Sequence, residues 1–186
     1  DAIAGLTPSA RGELEITDAI ARLIQDGRTV LGHRLTGWWV DAGSADGLLS
    51  ANARLLNAMT PGVDPTAVLE DVRIEGTVAV GPRAVLRRVR LRGPLVIGAD
   101  CRLTDSEVGP STSIGDGAVL EGAKVWNSIL LPGSRLAGPG LCLADSVVGA
   151  GASVSARPAG PVTLVVGDDA RLAMPLRPQR HREAGI

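Results

Sequence analysis

Aliphatic residues recur along most of this chain with a period that no single helix or hairpin produces. Six windows of seven residues share one order: an aliphatic residue, usually Gly, two turn-like residues, a small residue, any residue and a second aliphatic residue. The windows span residues 80–86, 97–103, 114–120, 130–136, 148–154 and 166–172. Their first residues lie 17, 17, 16, 18 and 18 positions apart. Self-similarity at a fixed period of this length is typical of a solenoid.

The period predicts a triangular coil with three sides of about six residues each. The aliphatic residue of each side is expected to point inward and to stack on its equivalent, about 4.8 Å away in the next coil. Gly and other small residues are expected at the corners, and coils with steps of 16 or 17 must be irregular at one corner. No helical pattern occurs between Val72 and Leu172, which excludes crossover helices. The predicted fold class is therefore mainly β, with a parallel β-helix over residues 67–172.

A small α/β segment is predicted before the repeat, over residues 1–60. Its first helix is expected to begin near Thr17 or Asp18 and to end before Gly27. The apolar residues of this helix fall on one face, at the spacing i, i+4, i+7 and i+8. They are Ile16, Ile20, Leu23 and Ile24.

The rest of the chain outside the repeat is predicted as follows. Residues 29–35 have the pattern of a strand, and a second helix is expected from about Ser44, its N-cap, to Met59. Residues 61–66 are expected to be a linker, and residues 173–186 an Arg- and Pro-rich tail that covers the last coil or trails free. Two helices and one strand are too few to bury their own apolar faces, so we expect the chain to be the C-terminal piece of a longer protein.

Composition narrows the possible cores and partners. Aromatic residues are only 2% of the chain, so aliphatic residues must fill the coils. The indole of Trp126 would overfill a coil, and it is therefore expected to point outward, onto the N-terminal segment or a neighbouring subunit. Cys101 and Cys142 match no metal or redox spacing and are expected to be small buried residues. A net charge of −1 and the lack of a long apolar run favour a cytoplasmic protein with no nucleic-acid or membrane partner.

Three arginines alternate with apolar residues in the second coil. Arg88, Arg90 and Arg92 flank Val89 and Leu91, which places the three guanidinium groups on one face of the coil. Two interpretations stay open at this point. The face is either a solvated outer surface, or a site for an anion, a regulatory nucleotide or an acidic partner.

Two motifs of the N-terminal segment resemble the end of a sugar-1-phosphate nucleotidyltransferase domain. They are residues 9–18 (SARGELEITD) and, about twenty residues later, residues 37–43 (GWWVDAG). With a β-helix behind them, the chain resembles in particular the C-terminal portion of long-form glucose-1-phosphate thymidylyltransferases. Resemblance to hexapeptide-repeat proteins further implies that the β-helix is left-handed.

The resemblance implies a Mg²⁺-dependent displacement. A sugar 1-phosphate attacks the α-phosphate of a nucleoside triphosphate and pyrophosphate leaves, with glucose 1-phosphate and dTTP as the expected substrates and dTDP-glucose as the product. Asp41 matches the family's metal-binding aspartate, whose partner ligand lies upstream, and Glu15 and Gly12 are assigned to the sugar-binding site. No residue of this chain is assigned as a catalytic acid or base. Val40 and Ala42 stand where the family often has Lys and usually has Thr, and their effect on activity is left open.

Acyl transfer is the rival activity for a hexapeptide β-helix. Enzymes of that class use a histidine base on a coil, and both histidines here, His33 and His181, lie outside the repeat. We therefore expect a nucleotidyltransferase that assembles as a homo-oligomer, in which the β-helix serves assembly or regulation. This chain alone lacks the nucleotide-binding loop and is expected to be inactive. The alternative is a non-catalytic scaffold or regulatory subunit.

Overall fold

The computed structural model describes residues 3–156 and 161–174, and it contains two helices and fifteen short parallel strands. The helices are α1 (Ile16–Gln25) and α2 (Ala45–Asn57). The strands are β1 (Gly62–Val63), β2 (Val68–Glu75), β3 (Val78–Val80), β4 (Val85–Arg92), β5 (Leu95–Ile97), β6 (Arg102–Thr104), β7 (Glu107–Val108), β8 (Thr112–Ile114), β9 (Val119–Trp126), β10 (Ile129–Leu130), β11 (Arg135–Ala144), β12 (Val147–Val148), β13 (Ser153–Ala156), β14 (Val165–Val166) and β15 (Arg171–Met174).

The strands form a parallel β-solenoid of about six turns, as the period predicted. One sheet has the order β1-β3-β5-β8-β10-β12-β14, and the other has the order β15-β13-β11-β9-β6-β4-β2, with β7 between β4 and β9. The first rung, β1, pairs with β3 through Gly62 and Val63, inside the segment expected as a linker. The left-handed winding implied by the resemblance stays a prediction.

Inward aliphatic residues stack from coil to coil and form the core. Leu86, Leu103, Leu120, Leu136 and Val154 make one such column, and all five are fully buried. Each contributes about 1.5–3 kcal/mol relative to an exposed side chain, so the stack supplies much of the stability of the solenoid.

One corner of the solenoid has the same backbone conformation in every window. The fourth residue of each window has a positive φ, between 53° and 70°. Gly tolerates this conformation without strain, and Asp tolerates it better than most residues. The six corner residues are Arg83, Asp100, Gly117, Gly133, Gly151 and Asp169.

The predicted irregularity of the short coils also lies at corners. Val108 pairs with Val125, 17 residues on, but Ile114 pairs with Leu130, 16 residues on, because the corner at 109–111 has one residue more than its counterpart at 126–127. Further along, residues 138–140 of β11 lie opposite Gly122 alone, which adds two residues to that coil. The inward columns continue through both changes.

Three serines complete the inside of the solenoid, and each directly follows a corner residue of positive φ, namely Asp105, Asn127 or Asp145. The hydroxyl of Ser128 donates to the Trp126 carbonyl oxygen at 2.8 Å and accepts from the Ser146 N–H at 3.2 Å. Ser106 and Ser146 make equivalent contacts: each donates to a carbonyl oxygen two residues before it and accepts from an N–H of the next coil, that of Ala123 and Leu164 respectively. Buried backbone groups beside these corners are thereby satisfied by side chains.

Trp126 lies outside the aliphatic core and is half-buried, which confirms that its indole does not fill the prism. What covers it stays a prediction. Cys101 is fully buried as expected, but the expectation for Cys142 was wrong. Cys142 is partly exposed because it lies between the inward residues Leu141 and Leu143 of β11, and alternation turns its side chain outward.

The N-terminal helices match their predicted positions, but the predicted strand at residues 29–35 was wrong. Those residues have no regular secondary structure, since no described strand supplies the hydrogen-bonding partner that an extended segment needs. The chain divides into two compact units, of which one ends at Trp39 and the other begins at Val40. The second unit therefore holds α2 as well as the solenoid.

Helix α2 is held to the solenoid by a polar contact. The Asn52 side-chain amide donates to the Ser111 carbonyl oxygen at 3.1 Å and accepts a hydrogen bond from the Ser113 hydroxyl. Since Ser113 is an outward residue of β8, this contact places α2 against the seven-stranded sheet.

Candidate functional site

Two side-chain-to-backbone hydrogen bonds define the loop that contains Asp41 and leads into helix α2. One carboxylate oxygen of Asp41 accepts from the Gly43 N–H at 2.9 Å, which folds residues 41–43 into a tight turn. Ser44 then caps the helix, as predicted, and its hydroxyl accepts from the Gly47 N–H at 3.1 Å. Asp41 is exposed, and its second carboxylate oxygen makes no hydrogen bond to the described part of the chain.

Gly47 allows the loop to pack against the first turn of α2. A β-carbon at this position would lie 1.7 Å from the Asp41 carbonyl oxygen, so no other residue fits without moving the loop. Gly47 was not among the residues predicted from the sequence. A glycine within the first turn of a helix, where it is unfavourable, was the available signal.

Glu15 belongs to a second, separate cluster. One of its carboxylate oxygens accepts hydrogen bonds from the Ser9 hydroxyl and from the Arg11 guanidinium group, both at 2.9 Å. The Glu15 side chain is 24% exposed. Gly12 closes the turn between these residues, with a φ of 81° and an N–H that donates to the Ser9 carbonyl oxygen at 2.8 Å. A β-carbon at this position would meet no neighbour, so the position favours glycine because of its positive φ and not because of limited space.

The two predicted site clusters lie in different compact units. Glu15 and Gly12 lie in the unit that ends at Trp39, and Asp41 lies in the unit that begins at Val40. Trp38 and Trp39, beside Asp41 in the sequence, are 46% and 72% exposed.

The described residues leave one carboxylate oxygen available at this loop, and they do not form a complete metal site. Within residues 3–156 and 161–174, no group of three or more His, Cys, Asp or Glu side chains could hold a metal ion. The available oxygen of Asp41 suits a hard cation, and Mg²⁺ commonly takes only one or two protein carboxylates beside phosphate and water oxygens. Asp41 therefore fits the role of a single ligand.

The three predicted arginines of β4 are all exposed, but they do not share one flat face. Arg88 has a φ of 53° and lies at a corner, because β4 bends there, whereas Arg90 and Arg92 lie on the side that follows. Arg88 donates twice to the Asp105 carboxylate, at 2.6 and 2.8 Å. This pairing raises the pKa of Arg88 and lowers the pKa of Asp105. Sequence alternation does not reveal a corner within a strand, which is why all three were assigned to one face.

Comparison with known proteins agrees with the motifs at both clusters. Residues 1–58 match the Nucleotidyl transferase family. The chain is 40% identical over 173 residues to glucose-1-phosphate thymidylyltransferase of Streptomyces griseus, covering 92% of this chain and 48% of that protein. It is 42% identical over 180 residues to a low-salt glycan biosynthesis nucleotidyltransferase of Haloferax volcanii, covering 94% of this chain and 50% of that protein.

A third relative shows the same pattern. Glucose-1-phosphate thymidylyltransferase of Streptomyces antibioticus is 33% identical over 138 residues, covering 74% of this chain and 38% of that protein. These matches confirm the predicted resemblance to the sugar-1-phosphate nucleotidyltransferases. Among them, two of the relatives bear the name glucose-1-phosphate thymidylyltransferase. The chain spans about half the length of the first two relatives, 48% and 50%.

The described helices are also informative about membranes. Neither α1 nor α2 is long and apolar enough to cross a bilayer.

Proposed function

We propose that this chain forms the C-terminal portion of a Mg²⁺-dependent sugar-1-phosphate nucleotidyltransferase that converts glucose 1-phosphate and dTTP into dTDP-glucose and pyrophosphate. The observation that carries the proposal is the 40% identity to a glucose-1-phosphate thymidylyltransferase, which extends over 92% of this chain and so includes both the Asp41 loop and the solenoid. The proposed enzyme acts in the cytoplasm as a homo-oligomer.

In this proposal Asp41 supplies one ligand to the metal. Its carboxylate is oriented by the Gly43 N–H, so that the second oxygen stays available. When bound, Mg²⁺ would neutralise charge on the transferring phosphoryl group. The remaining ligands would come from the nucleotide phosphates and from a carboxylate outside this chain.

Glu15 would contribute to the sugar-binding site. Ser9 and Arg11 hold one oxygen of its carboxylate, which leaves the other to accept a hydrogen bond from a sugar hydroxyl. Gly12 would set the path of the turn that presents it. Positioning of this kind matters because phosphoryl transfer depends on alignment more than on acid–base chemistry.

The test is the substitution Asp41→Asn in the full-length protein, assayed by pyrophosphate release from dTTP and glucose 1-phosphate. Loss of a metal carboxylate should lower kcat by about 100-fold or more and raise the Mg²⁺ concentration needed for half-maximal rate. Asp46→Asn is the matched control, because Asp46 is also exposed and lies five residues away in the first turn of α2. Equal turnover of wild type and Asp41→Asn would refute the metal assignment.

A second variant tests whether the loop positions the carboxylate. Gly47→Ala leaves Asp41 in place chemically but forces the loop away from α2. We expect it to lower kcat while the melting transition of the solenoid stays unchanged. Retained activity would show that the observed loop geometry is not needed.

The alternative is a non-catalytic scaffold or regulatory subunit. It predicts no pyrophosphate release from the full-length protein with any nucleoside triphosphate and sugar 1-phosphate pair. Release with UTP, ATP or GTP in place of dTTP would keep the transferase proposal and correct only its nucleotide.

A further inference from the structure

Charged side chains on the outside of the first coils form pairs of opposite sign between neighbouring coils. The nitrogen-to-oxygen distances of the closest pairs are 2.6–3.1 Å, and the longest is 3.7 Å. Neighbouring coils are about 4.8 Å apart, so like charges stacked on them would repel, whereas these opposite charges attract. The pairs are Arg83–Asp100, Arg87–Glu70, Arg88–Asp105, Arg92–Glu75, Arg92–Glu107 and Lys124–Glu107.

Arg73 and Arg90 depart from this pattern. They are partners in register between β2 and β4, so two positive charges lie directly opposite each other. Both residues are exposed, and neither forms an ion pair within the described residues. Arg90 also lies in register with Glu107, but that carboxylate contacts Arg92 and Lys124 instead. Like charges directly opposite on neighbouring strands are destabilising unless something neutralises them.

A shallow depression of about 210 Å³ lies between these arginines. Its lining consists of Asp71, Arg73, Arg88, Val89 and Arg90. Arg88 is oriented there by its two hydrogen bonds to Asp105. The lining carries three guanidinium groups and one carboxylate.

We propose that this depression binds the phosphate group of a small molecule, with Arg73 and Arg90 as its principal ligands. Guanidinium groups match phosphate oxygens in geometry and can donate two hydrogen bonds each. A bound phosphate would neutralise the facing charges of the two coils. Asp71, the acidic member of the lining, opposes the anion and weakens its binding. The inference is independent of the proposed transferase activity.

Calorimetric titration of the full-length protein with inorganic phosphate and pyrophosphate, at a constant ionic strength of about 50 mM, tests the site. Arg73→Gln and Arg90→Gln should each weaken binding about tenfold, because each removes charge-assisted hydrogen bonds. Asp71→Asn should strengthen binding, since it removes a like charge and Asn tolerates the positive φ of this position. All three positions are exposed, so none of these variants should impair folding.

Arg102→Gln is the matched control. Arg102 is an exposed arginine of β6 whose register partners, Val85 and Val119, are uncharged. Binding that is retained in this control but weakened in Arg73→Gln and Arg90→Gln supports the site. No saturable binding of either probe, binding unchanged in both arginine variants, or equal weakening in Arg102→Gln would overturn it.

The same variants identify the source of the phosphate. Titrations with glucose 1-phosphate and with dTTP are compared between wild type and Arg73→Gln. The compound whose affinity falls most in the variant is the one that this site takes. Binding that persists unchanged in Arg73→Gln belongs to another site of the protein.

Discussion

Two buried serines of one coil allow the hydrogen bonds of the solenoid interior to be separated from its packing. Ser128 and Ser134 are both fully buried, but only the Ser128 hydroxyl has hydrogen-bond partners, the Trp126 carbonyl oxygen and the Ser146 N–H. The Ser134 hydroxyl has no partner among the described residues. The same substitution, Ser→Ala, should therefore have different effects at the two positions.

Ser128→Ala removes both hydrogen bonds and leaves a buried N–H without an acceptor. Losing the hydrogen bond to the Trp126 carbonyl oxygen costs about 1 kcal/mol, and leaving the Ser146 N–H without an acceptor costs about 1 kcal/mol more. We therefore expect the substitution to lower the free energy of unfolding by about 2 kcal/mol. In a chain of this size that corresponds to a fall in Tm of about 6 °C.

Ser134→Ala removes a buried hydroxyl that has lost its hydrogen bonds to water on folding and gained none within the described residues. The stacked positions in the neighbouring coils are Ala118 and Ala152, both fully buried, so a methyl group fits this column. We expect no loss of stability, or a gain of up to about 1 kcal/mol.

Urea unfolding of the two variants beside wild type, followed by circular dichroism, measures the difference directly. Comparable slopes of unfolding free energy against urea would show that the same surface is exposed in each case. Equal destabilisation by the two substitutions, or a larger effect at Ser134, would refute the assignment of these hydrogen bonds.

Three further predictions follow from the described contacts. Asn52→Ala should speed amide hydrogen exchange across α2, because it removes the polar contact with the solenoid; unchanged exchange would contradict that role. In the native protein a thiol reagent should label Cys142 before Cys101, whose pKa is raised by burial, as mass spectrometry would show. The Asp105 pKa is lowered by Arg88, so its stabilisation is present above about pH 4 and is lost as pH falls below it; Asp105→Asn should flatten that part of the Tm profile.

The repeat could be predicted because each coil imposes the same two requirements on its residues. Inward positions must be aliphatic, as in the column that contains Leu103 and Leu120, and one corner must accept a positive φ. Arg83 shows the limit of this logic, because its φ is 56° although arginine rarely adopts that conformation. Its equivalence with Gly117 was visible only from the alignment of the windows.

Local signals were sufficient for the helices and insufficient for the strand. Ser44 carries its own capping group, so the start of α2 could be predicted from neighbouring residues. Residues 29–35 have a strand pattern, but a strand also needs a partner, and that depends on residues distant in the sequence.

The candidate site was predicted only as far as single residues. Motifs named Asp41 and Glu15 as candidates, and these assignments stay predictions, whereas the role of Gly47 depends on an approach to the Asp41 carbonyl oxygen that only the folded loop shows. Similarly, Arg73 lies 17 positions before Arg90 and outside the sequence run of arginines. Its proximity follows from the register of the coils and not from the arginine pattern.

The variable corners also bear on how such a chain can change its length during evolution. Residues 138–140 add two residues opposite Gly122, yet the inward residues on either side keep their partners. Insertions at this corner leave the strands on both sides in register, whereas a single residue inserted within a side would turn every following side chain to the opposite face. We therefore expect homologous chains to differ in length mainly at such corners, and expect the corner between Gly138 and Gly140 to accept a grafted loop without loss of the solenoid.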